Sequence, residues 1–265
     1  MSVRIPVPLH HMPPIWGESR VALEAAGLRR SEVWRGAGVR PGEDRPVLLI
    51  PGFLAGDGSL GTMTGWLRRM GYRTSRAGIR ANVGCSEEVT VRLEERLEQM
   101  AARYEQPVAV VGQSRGGLFA KTLAVRRPDL VSGIVTLGSP LNNMFAVHPV
   151  VLAHIGVVGL LGTLSVPGML SARCLRGACC GPFRESQLAP FPEDIGHLSI
   201  YSRSDGIVNW RACLDPDADE HVEVNASHCG MSVNAAAYRA TAHALEAFAA
   251  GLPHPGDAAI AAHAA

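Results

Sequence analysis

The chain has 265 residues, 47% of them hydrophobic, which suits one large α/β domain with a sizeable core. Its 25 basic and 24 acidic residues leave a net charge of +1, so no polyanion partner is implied and nucleic acid is excluded as an expected ligand. No internal repeat is visible.

Taken in order, the chain begins with an arm, residues 1–45. Its opening, MSVRIPVPLHHMPPIW, has no apolar core and no small-residue cleavage site, so it is not read as a secretory leader, and a cytoplasmic protein is expected. Pro6, Pro8, Pro13 and Pro14 break any early helix. Glu18 to Arg30 can form a helix ending near Gly27, packed on the domain edge or near the mouth of a site. Pro46 to Phe53, PVLLIPGF, reads as a buried strand ending in a glycine-rich turn. Ser59 is a candidate N-cap for a helix to about Met70, which Gly71 ends. Tyr72 to Ile79 is a strand. Ser86 is placed to cap a charged helix whose charges read as a solvated face.

Pro107 to Gly117, PVAVVGQSRGG, organises everything else. A β-branched apolar run leads into a tight turn, and from Leu118 the pattern becomes helical until Pro128. Within it, Gly112-Gln113-Ser114-Arg115-Gly116 is a G-x-S-x-G sequence in strand–turn–helix context. The chemistry needs those glycines: a serine on a sharp, strained turn tolerates only small neighbours two positions either side. Its Oγ then stands above the sheet, and the following helix N-terminus adds a positive field for a developing oxyanion.

On these residues the chain resembles the α/β-hydrolases, most closely bacterial lipases and esterases. The resemblance spans about residues 46–250 and implies a chain order of serine, acid, histidine with an oxyanion loop upstream. That loop falls at Pro51-Gly52-Phe53-Leu54, with proline where such enzymes often carry histidine. The resemblance makes the Phe53 N–H the first oxyanion donor, with the Leu54 N–H as runner-up, and the Arg115 N–H the second. The Arg115 side chain is expected to point into solvent, with pocket narrowing or an acidic substrate as the alternatives.

After the elbow helix, Leu130 to Leu137 is a strand, so strands and helices alternate as in a mainly parallel doubly wound sheet flanked by helices. From Leu130 to Ala172 there is no Asp, Glu, Lys or Arg. Val147 to Leu170 is apolar enough to raise a membrane span. A span there would put Ser114 on one side of a bilayer and the later acid and histidine on the other, so no stable membrane insertion is expected. Residues 141–193 instead fit an apolar cap or lid insertion, with Val157, Leu161 and, from the oxyanion loop, Leu54 as candidate substrate contacts. Extra core packing without gating is the alternative.

Gly196 to Tyr201 is a strand leading to Asp205, which holds the position and context of the acid. Asp215, Asp217 and Asp219 lie in DPDAD and read as a solvated turn, and Asp194 precedes the strand. Glu220 to Asn225 is the last strand. His228 follows in a small-residue loop before the final helix, whereas His197 and His221 fall in strands and His243 in that helix. The tail, 251–265, reads as disordered.

Of six cysteines, Cys174, Cys179 and Cys180 lack the usual paired spacing of a zinc site. No metal and no cofactor are expected, and the thiols are read as free, with a Cys213–Cys229 disulfide as the alternative. The expected function is a serine hydrolase of carboxylic esters with an apolar acyl part, acting on a small ester or lipid through Ser114, Asp205 and His228. Acyl transfer to an alcohol or amine is the alternative, and a non-catalytic binding protein on the same fold a lesser one.

Overall fold

The computed structural model describes residues 12–251. The first prolines of the arm and the tail expected to be disordered lie outside the described residues. The described chain forms one six-stranded sheet from β1 (Pro46–Ile50), β2 (Arg73–Arg76), β3 (Val108–Gln113), β4 (Val131–Leu137), β5 (Gly196–Tyr201) and β6 (Glu220–Glu223). The spatial order is β2-β1-β3-β4-β5-β6, and every neighbouring pair is parallel. β1 and β3 are buried along their whole length, as their apolar runs require, while the edge strand β2 reads Arg-Thr-Ser-Arg and is partly exposed.

The two-residue period of the strands sorts the core into two layers. Val47, Leu49, Val111 and Val135 face α2 (Gly61–Arg69) and α8 (Ala235–Ala249), joined by Leu28 of α1 (Val21–Arg30). Leu48, Ile50, Val110 and Ile134 face α3 (Ser86–Tyr104) and α4 (Arg115–Arg126). In the first of these layers Trp66 of α2 is fully buried against Tyr238 of α8, its indole N–H donating to Val33 O at 2.9 Å.

Several local readings are corrected. Ser59 lies within a short 3-10 turn, Asp57–Leu60, and α2 starts after it. Cys85, not Ser86, holds the N-cap position of α3. The helix of the arm runs to Arg30, the outer bound expected, and does not end near Gly27; its α-helical part starts at Val21, after a 3-10 stretch over Ile15–Arg20. The charges of α3 are not simply solvated: Glu87 and Glu94 pair with the half-buried Arg126 of α4. Asp215 is not in a solvated turn, since it is buried with Lys121, whose Nζ lies 2.7 Å from carboxylate oxygens of both Asp215 and Asp217.

Between β4 and β5 the chain leaves the sheet and builds α5 (Pro149–Thr163), α6 (Ala172–Leu175) and α7 (Gly181–Leu188). Pro149 sits in the first turn of α5, and the His148 ring accepts from Val150 N. α5 is apolar almost throughout, yet only Val158 and Gly159 of it are buried. Arg126 ties α7 down by donating to Ser186 Oγ, and Gln187 donates to Leu118 O and Thr122 Oγ1. Among the described residues no helix is long and apolar enough to cross a membrane.

Candidate active site

From β1 the chain runs outward to β2, then returns to the other side of β1 for β3. The carboxyl ends of β1 and β3 therefore flank a topological switch point, where an open α/β sheet leaves a crevice. Ile50 is in register with Gly112, and Gln113 with Leu137, so the turns after β1, β3 and β4 converge there.

Ser114 occupies that crevice at φ 54°, ψ −120°, a backbone state that side-chain-bearing residues rarely adopt. Such strain costs on the order of 1–3 kcal/mol and persists only when the surroundings over-determine it. Here Ser114 N donates to Leu137 O at 2.8 Å and Ser114 O accepts from Gly117 N at 3.0 Å. The glycines are sterically required: a Cβ on Gly112 would strike the Gly116 backbone, and one on Gly116 would strike Ile50 O. α4 begins at Arg115, so its N-terminus points at the serine.

Asp205 lies in the turn after β5 and is 2% exposed. Its Oδ1 accepts from Ile207 N and Val208 N, each at 2.8 Å, and its Oδ2 lies 2.7 Å from His228 Nδ1. The carboxylate thus fixes the ring and keeps the proton on Nδ1, leaving Nε2 as the basic nitrogen. Burial by itself would lower the His228 imidazole. The charge and hydrogen bond of Asp205, with the charge of Glu18, outweigh it and hold the ring above the ordinary histidine value of 6.5. Gln113, next to the serine, donates its side-chain N–H to His228 O at 3.0 Å and ties the histidine loop to the end of β3. Gly138 lies beneath this pair at φ 55°, where a Cβ would sit 3.1 Å from His228 Nδ1 and 3.2 Å from Asp205 Oδ2.

The competing residues are engaged elsewhere. Asp215 and Asp217 hold Lys121, Asp219 accepts from His197 N, and Asp194 is exposed. His197 is buried in β5, where desolvation pulls its pKa down to about 4. His221 contacts Asp215 O. Cys213 and Cys229 are separate free thiols, so the disulfide alternative fails.

The turn after β1 passes directly over the serine: a Cβ on Gly52 would lie 3.1 Å from Ser114 Cβ. Phe53 bridges to Asn82, and Leu54 takes φ 62°. Arg115 does not point into solvent. Its guanidinium donates to Asn82 O, Gly84 O and Ser86 Oγ, clamping the loop before α3. Burial lowers it to about 10, which leaves it cationic at neutral pH.

Ser114 and His228 open into one cavity of about 620 Å³, a size suited to a small organic ligand. Its wall is largely apolar and includes Leu54, Met144, Val151, Ile155, Leu170 and Phe183. Of the expected substrate contacts, Leu54 lines it. Val157 does not and is 56% exposed, and Leu161 is also absent from the wall. Val151, His154 and Ile155 of α5 take that place, because α5 turns its first two turns, not its centre, toward the crevice.

Two residues of the arm belong to this site and went unread in the sequence. Glu18 Oε1 accepts from Gly206 N and His228 N, and Glu18 Oε2 accepts from Cys229 N. Glu24 accepts from Ser227 N and Ser227 Oγ. The arm therefore staples the acid turn and the histidine loop together from outside. Acids in a helical arm carry no pattern pointing to a partner 210 positions away.

No protein-family model and no curated protein sequence matches this chain. Solved structures do. The monoglyceride lipase of Saccharomyces cerevisiae, in a soluble variant with a substrate analogue, matches with TM-score 0.55 at 15% identity, over 80% of this chain and 88% of its own. A metagenomic carboxyl esterase matches with TM-score 0.55 at 15% identity, over 95% and 96%. A Bacillus licheniformis lipase in mature form matches with TM-score 0.52 at 14% identity, over 75% and 90%. The fold is the α/β-hydrolase fold, with a mostly parallel sheet flanked by helices.

Proposed function

We propose that this chain is a serine hydrolase of carboxylic esters with an apolar acyl part. The observation that carries the reading is the strained Ser114 sharing one apolar cavity with His228, whose Nδ1 is held 2.7 Å from the buried Asp205. In the reaction, Ser114 Oγ attacks the ester carbonyl while His228 Nε2 takes its proton. Asp205 keeps the ring oriented and stabilises the imidazolium. The N–H groups of Phe53 and Arg115 hold the oxyanion, each donor contributing about 2.7–4 kcal/mol of barrier lowering. His228 then protonates the leaving alcohol, and water, activated by the same ring, releases the acid.

Residues 141–193 act as a cap on a hydrolase domain of residues 46–250, with α5 forming the apolar roof over the acyl chain. A carboxylic ester or glyceride with an alkyl chain fits a wall of Met144, Val151, Ile155 and Leu170 better than a charged substrate does.

The test is hydrolysis of p-nitrophenyl esters from acetyl to palmitoyl by the wild type and Ser114→Ala, with fluorophosphonate labelling alongside. The expected result is activity lost by roughly 10⁴-fold or more in the variant, with labelling confined to the wild type. An unlabelled wild type that hydrolyses no ester would sink the reading. Labelling of Ser114 without hydrolysis, but with ester formed from an added alcohol, would replace hydrolysis by acyl transfer.

A further inference from the structure

Four of the six cysteines meet at one point beside the cavity. Cys85 comes from the loop before α3, Cys174 from α6, and Cys179 and Cys180 from the turn that opens α7. Their sulfurs all lie within 4.8 Å of one another. The individual separations are 3.2 Å for Cys174–Cys179, 3.5 Å for Cys85–Cys180, 3.6 Å for Cys85–Cys179 and 3.8 Å for Cys179–Cys180.

This arrangement has a specific chemical reading. Four thiolates about 2.3 Å from a central ion define a tetrahedron with edges of about 3.8 Å. A disulfide pairs sulfurs two by two at about 2.0 Å, whereas here Cys179 stands near all three others. A four-iron cluster would hold its thiolates much farther apart. Burial favours a closed site: Cys85 is 6% and Cys180 4% exposed, and the other two are half-buried.

The surroundings suit concentrated negative charge. Cys85 and Cys180 hold the N-cap positions of α3 and α7, so two helix N-termini face the cluster. Ser171 N donates to Cys174 Sγ at 3.4 Å. Arg115, fixed by Gly84 O at 2.7 Å, lies within electrostatic reach of Cys85, Cys174 and Cys180. The bland alternative is a small thiol-filled packing cluster beside Val83, Val158 and Leu170. That alternative gives no reason for four sulfurs from three segments to point at one centre, or for cationic and N–H groups to ring it.

We propose that Cys85, Cys174, Cys179 and Cys180 form a closed tetrathiolate site for one Zn²⁺. Binding releases the four thiol protons to solvent and leaves a dianionic centre, with nothing oxidised or reduced. With no open coordination position the ion is structural. It ties the segment around α6 to the loop before α3, which Arg115 clamps from the other side. Cys174, Cys180 and Leu175 line the cavity, so the ion fixes one wall of the site. The assignment does not rest on the ester reading and stands or falls separately from it.

The experiment is metal analysis by mass spectrometry on protein expressed with added zinc and dialysed against a chelator. One zinc per chain is expected, released in step with titration of four thiols by a mercurial. Cys179→Ser should lose most of the metal and Cys213→Ser, outside the cluster, none. Replacement by Co²⁺ should give the intense visible bands of a tetrahedral tetrathiolate centre, a readout that does not need the serine variant to fold. A metal-free chain with all six thiols reactive, a mass four hydrogens low from two disulfides, or iron in place of zinc would each overturn the assignment.

Discussion

The floor and the roof of the cavity are held by different means. The floor is Ser114, Asp205 and His228, set on turns at the carboxyl ends of the sheet and locked by hydrogen bonds to the backbone of Leu137, Ile207 and Val208 and to the Gln113 side chain. The proposed roof is α5, whose Val150, Val157 and Leu160 are exposed apolar side chains. The chain enters it through a Val147–Val208 bridge and the bond from His148 N to Ile207 O, and the segment after it is fastened by Leu170 N to Val83 O, by Ser186 and Gln187, and at the cysteine cluster. Sheet register places the floor. Single backbone bonds to neighbouring loops and a few long-range side-chain clasps place the roof. A floor substitution should therefore change chemistry or global stability, and a roof substitution should change which substrate is accepted.

The sharpest test of the floor is Asp205→Asn. The amide favours the wrong ring tautomer of His228, and kcat on a p-nitrophenyl ester should fall by roughly 10⁴-fold with the fold intact by circular dichroism. The pH profile adds a signed test. In the proposed reaction the base must be neutral, so activity should rise with pH as His228 loses its proton, and the wild-type midpoint should lie above 6.5 because the ring is held above that value. Loss of the Asp205 charge should move the midpoint down. A loss of less than tenfold with an unmoved midpoint would break the assignment.

Next in size is the buttress behind the floor. Lys121 is 3% exposed and shared by Asp215 and Asp217. Lys121→Met leaves Asp215 a buried, unpaired charge and should cost about 3–5 kcal/mol in urea unfolding. The folded fraction should keep its kcat, since the pair touches neither Ser114 nor His228. A cost below about 1 kcal/mol would show that Asp215 finds water or another partner.

The same contrast explains what could be read in advance. β1, β3, β4 and β5 were legible because buried parallel strands are short apolar runs between glycine and proline signals, and the residues just after their ends were legible because turns of this kind need particular small residues. The elbow around Ser114 was read from such local constraints, and Asp205 and His228 from where the resemblance puts the acid and the histidine; the structure brings Asp205 Oδ2 to 2.7 Å of His228 Nδ1. Positions decided by distant side chains were not. Nothing near Glu18 announces His228, and Cys85 stands 94 positions from Cys179. Val157 and Leu161 failed because an almost uniformly apolar helix has no marked face, so its sequence does not say which turns look inward. Asp215 was misjudged for a related reason: DPDAD looks solvated until Lys121 of α4 arrives.

The roof calls for a selectivity test. Ile155→Asp puts a carboxylate on the apolar wall and should reduce hydrolysis of long-chain esters by roughly tenfold while acetyl esters change less than about twofold. Val157→Asp, already in solvent, should leave the chain-length profile unchanged. Equal losses on short and long esters for Ile155→Asp would mean that α5 supports the floor and does not read the acyl chain.

The smallest expected effect lies where the arm meets the floor. Glu18 accepts N–H bonds from both the acid turn and the histidine loop, and its charge adds to that of Asp205 in raising His228. Glu18→Gln keeps the shape and one carbonyl acceptor but loses the charge and one of the two acceptor oxygens. Hydrogen bonds to charged groups contribute about 1.5–3 kcal/mol and neutral ones about 1, so stability should fall by about 1–2 kcal/mol in urea. A purely structural staple would show that loss and nothing more. A positioning residue would in addition lower the midpoint of the acid limb of kcat/KM, because removing a negative charge makes the imidazolium easier to deprotonate. If stability falls while the acid limb stays in place, the arm is part of the scaffold only, and the floor ends at Asp205.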